Sequence, residues 1–122
     1  MIENHSSGDL LITVEEKEDR LVLDWRGKSN DRAPGQHLLP FFEKVLQQAG
    51  GSGKTVEMHF EHLAHFNSST ITAIIKMLQT ARQKKVRTEI VFDGSLKWQK
   101  LSFDALRIFE KQGEGITFRS IA

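Results

Sequence analysis

The spacing of apolar residues changes repeatedly along this 122-residue chain, and these changes constrain the fold more than any other feature. Residues 10–14 and 21–25 are apolar or alternate apolar with polar side chains, and the charged residues between them predict a turn joining two antiparallel strands. Downstream, three stretches with helical spacing are separated by short strand-like runs. The predicted order is β-β-α-β-α-β-α-β. Because strand–helix–strand connections cross over with one hand, this order predicts an α/β fold with a mixed sheet.

Each predicted helix has one apolar face; a proline and glycines mark the ends of the first, the basic residues 83–87 end the second, and glycines end the third. We expect Pro40 in the first turn of the first helix, where its missing amide hydrogen loses no bond. Gly50 and Gly51 are expected to end that helix, and Gly113 and Gly115 to end the third. The three faces comprise Leu38, Phe41, Phe42, Val45, Leu46 and Ala49; Ile71, Ile74, Ile75, Leu78 and Ala81; and Trp98, Leu101, Ala105, Ile108 and Phe109.

The remaining strand-like runs complete one domain. Residues 56–60 alternate, residues 86–92 are rich in β-formers, and residues 116–118 predict a last short strand. No repeat or linker divides the chain, so residues 1–122 are interpreted as one domain, with the polar residues 1–9 expected to be flexible.

Composition narrows the function classes. The hydrophobic content of 39% and charged content of 27% are normal for a folded domain. The absence of cysteine excludes disulfides, thiol nucleophiles and thiolate metal sites. A net charge of +1 does not favour nucleic acid or an anionic membrane as a partner. No apolar run approaches the roughly 20 residues needed to span a bilayer, and no hydrophobic signal core is present, so we predict a cytoplasmic protein.

Residues 51–55, with the sequence GSGKT, end like a phosphate-binding P-loop. That motif requires a glycine where Gln48 stands, a strand before it and a helix after it. Here a predicted helix precedes and a strand follows. The favoured interpretation is a glycine-rich turn from helix to strand.

Three histidines, His59, His62 and His65, follow one another at intervals of three. Imidazoles can bind metals, but His59 belongs to a predicted strand and the other two lie beyond its end. No carboxylate or cysteine completes a recognisable ligand pattern. The sequence therefore predicts no metal site and no cofactor.

Residues 66–70, with the sequence FNSST, are the strongest candidate site. They lie where a predicted strand leads into an amphipathic helix, and asparagine, serine and threonine are all suited to cap a helix N-terminus. Capping requires only one of them. An exposed hydroxyl at this position could also accept a phosphate, which would face free amide hydrogens and the positive end of the helix dipole.

Residues 65–71, HFNSSTI, followed by Ile74 and Ile75, resemble the Asp-Ser-Ser-Gly segment of STAS domains, the anti-sigma factor antagonists of bacterial partner-switching systems. The same segment is similar to that of SiaC-type regulatory phosphoproteins. The specific motif covers about six residues, whereas the predicted order of elements matches a STAS-like domain over almost the whole chain. Two departures stand out, since Asn67 replaces the acidic residue of the antagonists and Thr70 replaces their glycine.

The resemblance implies a non-catalytic protein phosphorylated at Ser68. It implies, as partners, a serine kinase of the histidine-kinase-like ATPase class that often doubles as an anti-sigma factor, and a PP2C-type phosphatase; a diguanylate cyclase is a further candidate partner. By chemistry alone Ser69 and Thr70 are equivalent acceptors, and only the motif favours Ser68. The surface expected to bind the partner comprises His65, Asn67, Ser69, Thr70 and Thr72.

Two other function classes remain open. The same helix N-terminus could bind a small molecule or nucleotide without phosphorylation. An enzyme ranks last, because no acidic residue is identifiable to orient His65 toward Ser68 and nothing marks an oxyanion hole. Trp98 could anchor a partner, although its helical spacing favours packing against the core.

Overall fold

The structure is a computed structural model that describes residues 2–111 and 115–122. Its elements, in chain order, are β1 (His5–Ser7), β2 (Leu10–Glu16), β3 (Arg20–Ser29), α1 (Gly35–Ser52), β4 (Thr55–His59), β5 (Leu63–Phe66), α2 (Ser68–Gln83), β6 (Thr88–Phe92), α3 (Lys97–Leu106), α4 (Ile108–Lys111) and β7 (Ile116–Ser120).

The strands form one mixed sheet in the order β1-β2-β3-β4-β6-β7, with β5 paired to β3. The pairs β1–β2 and β2–β3 are antiparallel, and the pairs β3–β4, β4–β6 and β6–β7 are parallel. The predicted α/β class with a mixed sheet is confirmed. The prediction lacked β1, β5 and α4, which are too short to give a periodic signal.

The long strand β3 has two partners on the same side. Its first half, from Arg20 to Asp24, pairs with β4, and its end pairs with β5 after a register shift between Gly27 and Lys28. Gly27 has a φ of 84°, and a Cβ there would collide with the carbonyl oxygen of Asp9, so only glycine fits. Because β5 leads directly into α2, this pairing places the start of α2 beside the end of β3.

Helix α1 differs from the prediction at both ends. It begins at Gly35, so Pro40 lies beyond the first turn, on the exposed side where water can satisfy the carbonyl that loses its partner. Gly50 and Gly51 lie within the helix, which ends at the left-handed residue Gly53, with a φ of 66°. The interpretation of residues 51–55 as a helix-to-strand turn is confirmed. No helix in the described ranges is long and apolar enough to cross a membrane.

The apolar face of α2 is confirmed, but the predicted face of the third helix is right only for Trp98 and Phe109. Ile74, Leu78 and Ala81 are buried, as expected for α2. In the third helix Leu101 is 64% exposed and Ile108 is 53% exposed. Of the predicted face Phe109 is buried, the other buried side chains are Gln99, Phe103 and Leu106, and the helix divides into α3 and α4.

Aromatic packing explains which face α3 buries. The ring of Phe103 lies 4.9 Å from Phe60, 5.7 Å from Phe66 and 5.2 Å from Phe92, measured between centroids. Aromatic rings bury large areas, so this contact outweighs that of the smaller Leu101 on the other face. Helical spacing alone fits both faces and does not discriminate between them.

The polar N-terminal segment contains strand β1, and the flexibility expected for residues 1–9 stays a prediction. His5 to Ser7 pair with Leu10 to Ile12 around a turn at Gly8, which has a φ of 57°. The His5 ring stacks on Phe41 of α1 at 4.8 Å. Of the two glycines expected to end the third helix, Gly113 lies outside the described residues, and Gly115 directly precedes β7.

Candidate functional site

The candidate site lies where β5 leads into α2, and Asn67 joins the two. Asn67 has an extended backbone and is the N-cap of α2, with its Oδ1 accepting a hydrogen bond from the Thr70 amide at 2.9 Å. Its own amide donates to the Ser29 carbonyl at 3.0 Å, which fixes the cap to the end of β3. The predicted capping role of this segment is therefore confirmed at Asn67.

The side-chain amide of Asn67 also reaches the loop after β3. Its Nδ2 donates to the Asp31 carbonyl at 2.7 Å while Oδ1 accepts from Thr70. An ionised aspartate could accept in the same way but could not donate. The asparagine that replaces the acidic residue of the STAS motif thus makes one bond that an acid could not make.

Thr70 is buried, with 0% exposure, and belongs to the scaffold. Its Oγ1 lies 2.7 Å from Ser29 Oγ, and its single hydrogen has two acceptors within reach, Asn67 Oδ1 at 2.7 Å and the Ser29 carbonyl at 3.2 Å. The expectation that Thr70 is an alternative phosphate acceptor and a partner-binding residue therefore needs correction. A kinase or a partner could not reach this hydroxyl without opening the helix.

Ser68 has the opposite environment. It is the first residue of α2 and is exposed, whereas Ser69 is half-buried and Thr72, one turn further along, is exposed. The Thr70 amide is satisfied by the cap, so the amides of Ser68 and Ser69 are the ones at this helix start that lack an intrahelical acceptor. The geometry brings together an accessible hydroxyl and two free donors.

A groove of about 450 Å³ lies next to Ser69, between the loop after β3 and the starts of α1 and α2. Arg32 and Lys76 contribute positive charge to it, and Pro34, Leu39 and other small or apolar side chains form the rest of its wall. No carboxylate is among its described lining residues. The local field therefore favours an anion near the start of α2.

His65 lies on the other side of the site, exposed at the end of β5. Its ring centroid is 6.4 Å from that of Trp98, and Phe66 meets Trp98 edge-on at 5.1 Å. Trp98 is half-buried and packs against the core, as its helical spacing predicted. It still leaves part of its ring at the surface beside His65.

The three histidines at intervals of three have different contacts. The His59 ring lies between two carboxylates, with Nε2 at 2.7 Å from Glu57 and Nδ1 at 3.0 Å from Glu61. Burial alone would lower the pKa of His59, but these hydrogen bonds and charges outweigh it and raise that pKa above its ordinary value. His62 contacts Asp24 instead, with Nδ1 at 3.1 Å from Oδ1.

A second histidine cluster, which the sequence analysis missed, adjoins the loop that holds Asn67. His37 Nε2 lies 2.9 Å from Asp31 Oδ2, and His37 Nδ1 lies 2.7 Å from His5 Nε2. Burial and, after it, the charge of His37 lower the pKa of His5. His5 and His37 are 32 positions apart, so no local sequence signal could have revealed the pair.

Comparison with solved structures identifies the fold. A protein from the DUF3478 family with a SpoIIAA-like fold, from Shewanella loihica PV-4, superposes with a TM-score of 0.56 at 18% identity, covering 94% of this chain and 90% of that chain. The Bacillus cell fate determinant SpoIIAA in its phosphorylated form superposes with a TM-score of 0.54 at 14% identity, covering 90% of this chain and 92% of that one. No protein-family model matches the sequence, and no curated protein matches it either. The chain thus has a SpoIIAA-like fold, and the STAS-like architecture expected from the sequence is confirmed.

Proposed function

We propose that this chain is a non-catalytic, STAS-type partner-switching regulator of the bacterial cytoplasm, and that phosphorylation of Ser68 controls its binding. The observation that carries the proposal is the contrast within one helical turn. Ser68 is exposed, while Thr70, two residues later, is fully buried in the network that fixes the helix. A charge can therefore be added at Ser68 without disturbing the bonds that hold α2.

The start of α2 is suited to hold a phosphate. A phosphoserine adds roughly −1.5 to −2 charges and three acceptor oxygens, and the unsatisfied amides at a helix N-terminus point toward such a group. The helix dipole favours negative charge at this end. Arg32 and Lys76, which line the adjacent groove, add to the positive potential.

Phosphorylation would change the binding of the partner and leave the fold unchanged. Around Ser68, the exposed side chains of His65 and Thr72 and the half-buried Ser69 form a surface that includes the mouth of the groove. A partner that covers this surface with apolar or acidic groups would have to desolvate or approach a dianion. The unphosphorylated form would therefore be the form that binds.

The proposed partners follow from the resemblance to STAS domains. They are a serine kinase of the histidine-kinase-like ATPase class, which can itself be the anti-sigma factor, and a PP2C-type phosphatase that removes the phosphate; a diguanylate cyclase is a further candidate partner. A structure of SpoIIAA in the phosphorylated form, on the same fold, supports a phosphorylated state for this chain.

The first test identifies the modified residue. The full chain is incubated with ATP and a serine kinase of this class encoded beside its gene, and intact mass and phosphopeptide analysis follow. We expect one phosphate on the wild type and on Ser69→Ala, and none on Ser68→Ala. Phosphate on Ser69, or on both Ser68→Ala and the wild type, would contradict the assignment.

The second test measures binding of the same partner by calorimetry. Ser68→Ala should bind as the wild type does, whereas Ser68→Asp should bind at least about tenfold more weakly, because a buried unpaired charge costs more than 1.4 kcal/mol. Ser95→Asp is the matched control, since it adds the same charge at an exposed serine just before α3. Equal binding by Ser68→Asp and Ser95→Asp would contradict the switch.

The positively charged groove beside Ser69 favours one second candidate function, a small-molecule or nucleotide-binding module that works without phosphorylation. Thermal stabilisation by nucleotides, abolished in Arg32→Ala, together with no kinase-dependent mass change, would support this candidate instead.

A further inference from the structure

Two carboxylates and one imidazole from separate parts of the sequence converge at the surface between β3 and the β4–β5 connection. Asp24 lies on β3, and Glu61 and His62 lie in the connection. One ligand atom from each of the three lies within 4.8 Å of the other two. We infer that these three residues form a binding site for a divalent transition metal, with Zn²⁺ as the ion that their chemistry favours. The site is separate from the proposed phosphorylation switch.

The backbone that presents Glu61 and His62 is held at both ends by buried residues. The Phe60 amide donates to Val91 of β6 at 2.8 Å, and the Leu63 amide donates to Phe60 at 2.9 Å. The buried Gln99 donates to the carbonyls of both Phe60 and Leu63, at 2.7 and 3.2 Å. Glu61 and His62, between these anchors, therefore lie in a turn that is fixed at both ends, which reduces the ordering that metal binding would require.

Both carboxylates are positioned by neighbouring cationic or donor groups. Arg26 Nε donates to Asp24 Oδ2 at 2.7 Å, which leaves Oδ1 facing His62. His59 Nδ1 lies 3.0 Å from Glu61. Such outer hydrogen bonds commonly orient the carboxylates and imidazoles that bind metals. The Asp24 and Glu61 side chains are only 18% and 13% exposed, so their charges are partly desolvated and attract a cation more strongly than free surface acids do.

The distances fit a small ion. With zinc–ligand bonds of about 2.05 Å, two ligands of a tetrahedral site are about 3.3 Å apart. The distance between His62 Nδ1 and Asp24 Oδ1 is already 3.1 Å. The His62 side chain is 54% exposed, so it can rotate to complete the geometry and leave a fourth position open to water.

The ligand types select among metals. One imidazole nitrogen and two carboxylate oxygens suit Zn²⁺, whereas Mg²⁺ and Ca²⁺ prefer oxygen alone. Arg26 and His59 offset part of the negative charge, so we expect weaker binding than at a four-ligand structural zinc site. The sequence predicted no metal here because the only regularity it offered was the histidine spacing, and Asp24 is 38 positions from His62.

The test titrates the metal-free full chain with Zn²⁺ by calorimetry and with Co²⁺ by visible absorption, which reports the ligand set. We expect one ion per chain. His62→Ala, Asp24→Asn and Glu61→Gln should each lower zinc affinity by about tenfold or more, in line with the losses seen when metal-site residues are changed. Circular dichroism of the metal-free variants checks that they fold. If His62→Ala or Asp24→Asn does not fold, Glu61→Gln, which keeps size and hydrogen bonding, still tests the site.

Two histidine variants are the controls. His65→Ala removes an exposed imidazole only three residues from His62. His37→Ala removes the imidazole that is hydrogen-bonded to His5. Both should bind Zn²⁺ and shift the Co²⁺ spectrum as the wild type does. Absence of zinc binding by the wild type, an unchanged affinity in His62→Ala, or an equal loss in His65→Ala or His37→Ala would overturn the proposal.

Discussion

Helices α2 and α3 begin in similar ways on their inner sides and in different ways on their outer sides. In each helix the third residue, Thr70 in α2 and Gln99 in α3, is a polar side chain with 0% exposure. Thr70 bonds to Ser29 at the end of β3, and Gln99 bonds to Phe60 and Leu63 around the β4–β5 turn. Both residues thus attach a helix start to the sheet through buried hydrogen bonds.

The outer residues of the two helix starts differ in size and capping. In α2, the capping side chain of Asn67 is followed by the small hydroxyls of Ser68 and Ser69. In α3, the N-cap Leu96 makes no side-chain capping bond, and Lys97 and Trp98 follow. The comparison shows that a helix here can begin from a buried anchor without a side-chain cap, so the small hydroxyls of Ser68 and Ser69 are not required to start α2. This is consistent with the proposed modification of Ser68.

The largest effect should come from removing the anchor of α3. Gln99→Leu keeps the volume but removes the side-chain donor from the Leu63 carbonyl and the acceptor from the Asp93 amide, which donates to Gln99 Oε1 at 2.8 Å, while the Phe60 carbonyl keeps only the Leu63 amide as a donor. Each buried polar group left unsatisfied costs about 1–3 kcal/mol, so we expect a loss of about 3 kcal/mol in the free energy of unfolding, measured in urea. Lys100→Ala, on the exposed side of the same turn, should change little. A loss in Gln99→Leu no larger than that in Lys100→Ala would contradict the anchoring role.

The buried hydrogen bonds of Thr70 should contribute less to the free energy of unfolding than those of Gln99, because they involve hydroxyls that can partly pair with each other. Thr70→Val removes one hydroxyl and leaves Ser29 Oγ buried without that partner, so we expect a loss of about 1–2 kcal/mol in the free energy of unfolding. Thr72→Val is the matched control, since Thr72 is exposed two residues later in the same helix. If both valine variants unfolded alike, the difference between the inner and outer faces of α2 would lose its support.

The sequence predicted the features that depend on neighbouring residues and missed those that depend on distant ones. The apolar face of α2 and the capping segment at residues 66–70 are local patterns, and the structure confirms them. The burial of Thr70 depends on Ser29, 41 positions away, and that of Gln99 depends on Phe60, 39 positions away. Local sequence patterns do not reveal partners this far away, so the sequence cannot distinguish Thr70 from the neighbouring Ser68 and Ser69.

The face of α3 shows a second limit. Two sets of residues there have helical spacing, and the larger aromatic side chain, Phe103, determines which set is buried. Size and three-dimensional contact decide this choice, and spacing does not. The same reasoning explains β5, whose four residues form a strand because the end of β3 is available to pair with them.

The cap of α2 offers a smaller test of the same comparison. Asn67→Ala removes the capping oxygen and the donor to Asp31, and we expect a loss of about 1 kcal/mol in the free energy of unfolding. Asn67→Asp also loses the donor to the Asp31 carbonyl, but it should lose less stability than the alanine variant, because a carboxylate still caps and its charge favours the helix N-terminus. An aspartate variant less stable than the alanine variant would contradict the capping role. Leu96→Ala, at the start of α3, should show no capping effect, since Leu96 has no side-chain capping bond.

The smallest expected effect is a pH dependence of stability, and it concerns only the start of α2. Because the pKa of His5 is lowered in the folded chain, the unfolded chain binds more protons between that pKa and about 6.5. The stability that neutral His5 contributes is therefore fully present above about pH 6.5 and is lost as the pH falls through the folded pKa. His5 is hydrogen-bonded to His37, which is in turn hydrogen-bonded to Asp31. Glu3 and Lys44 line the adjoining cavity.

His5→Gln removes this titration and tests its effect on α2. Between about pH 7.5 and about pH 5.5, the wild type should lose more stability than His5→Gln does. Because the Asp31 carbonyl also accepts from Asn67, the protection of amides at the start of α2, corrected for the intrinsic exchange rate at each pH, should fall on acidification in the wild type more than at the start of α3, where Gln99 does not titrate. Equal pH dependence in wild type and variant, or an equal loss of protection at both helix starts, would mean that the histidine pair and the α2 cap are independent of each other.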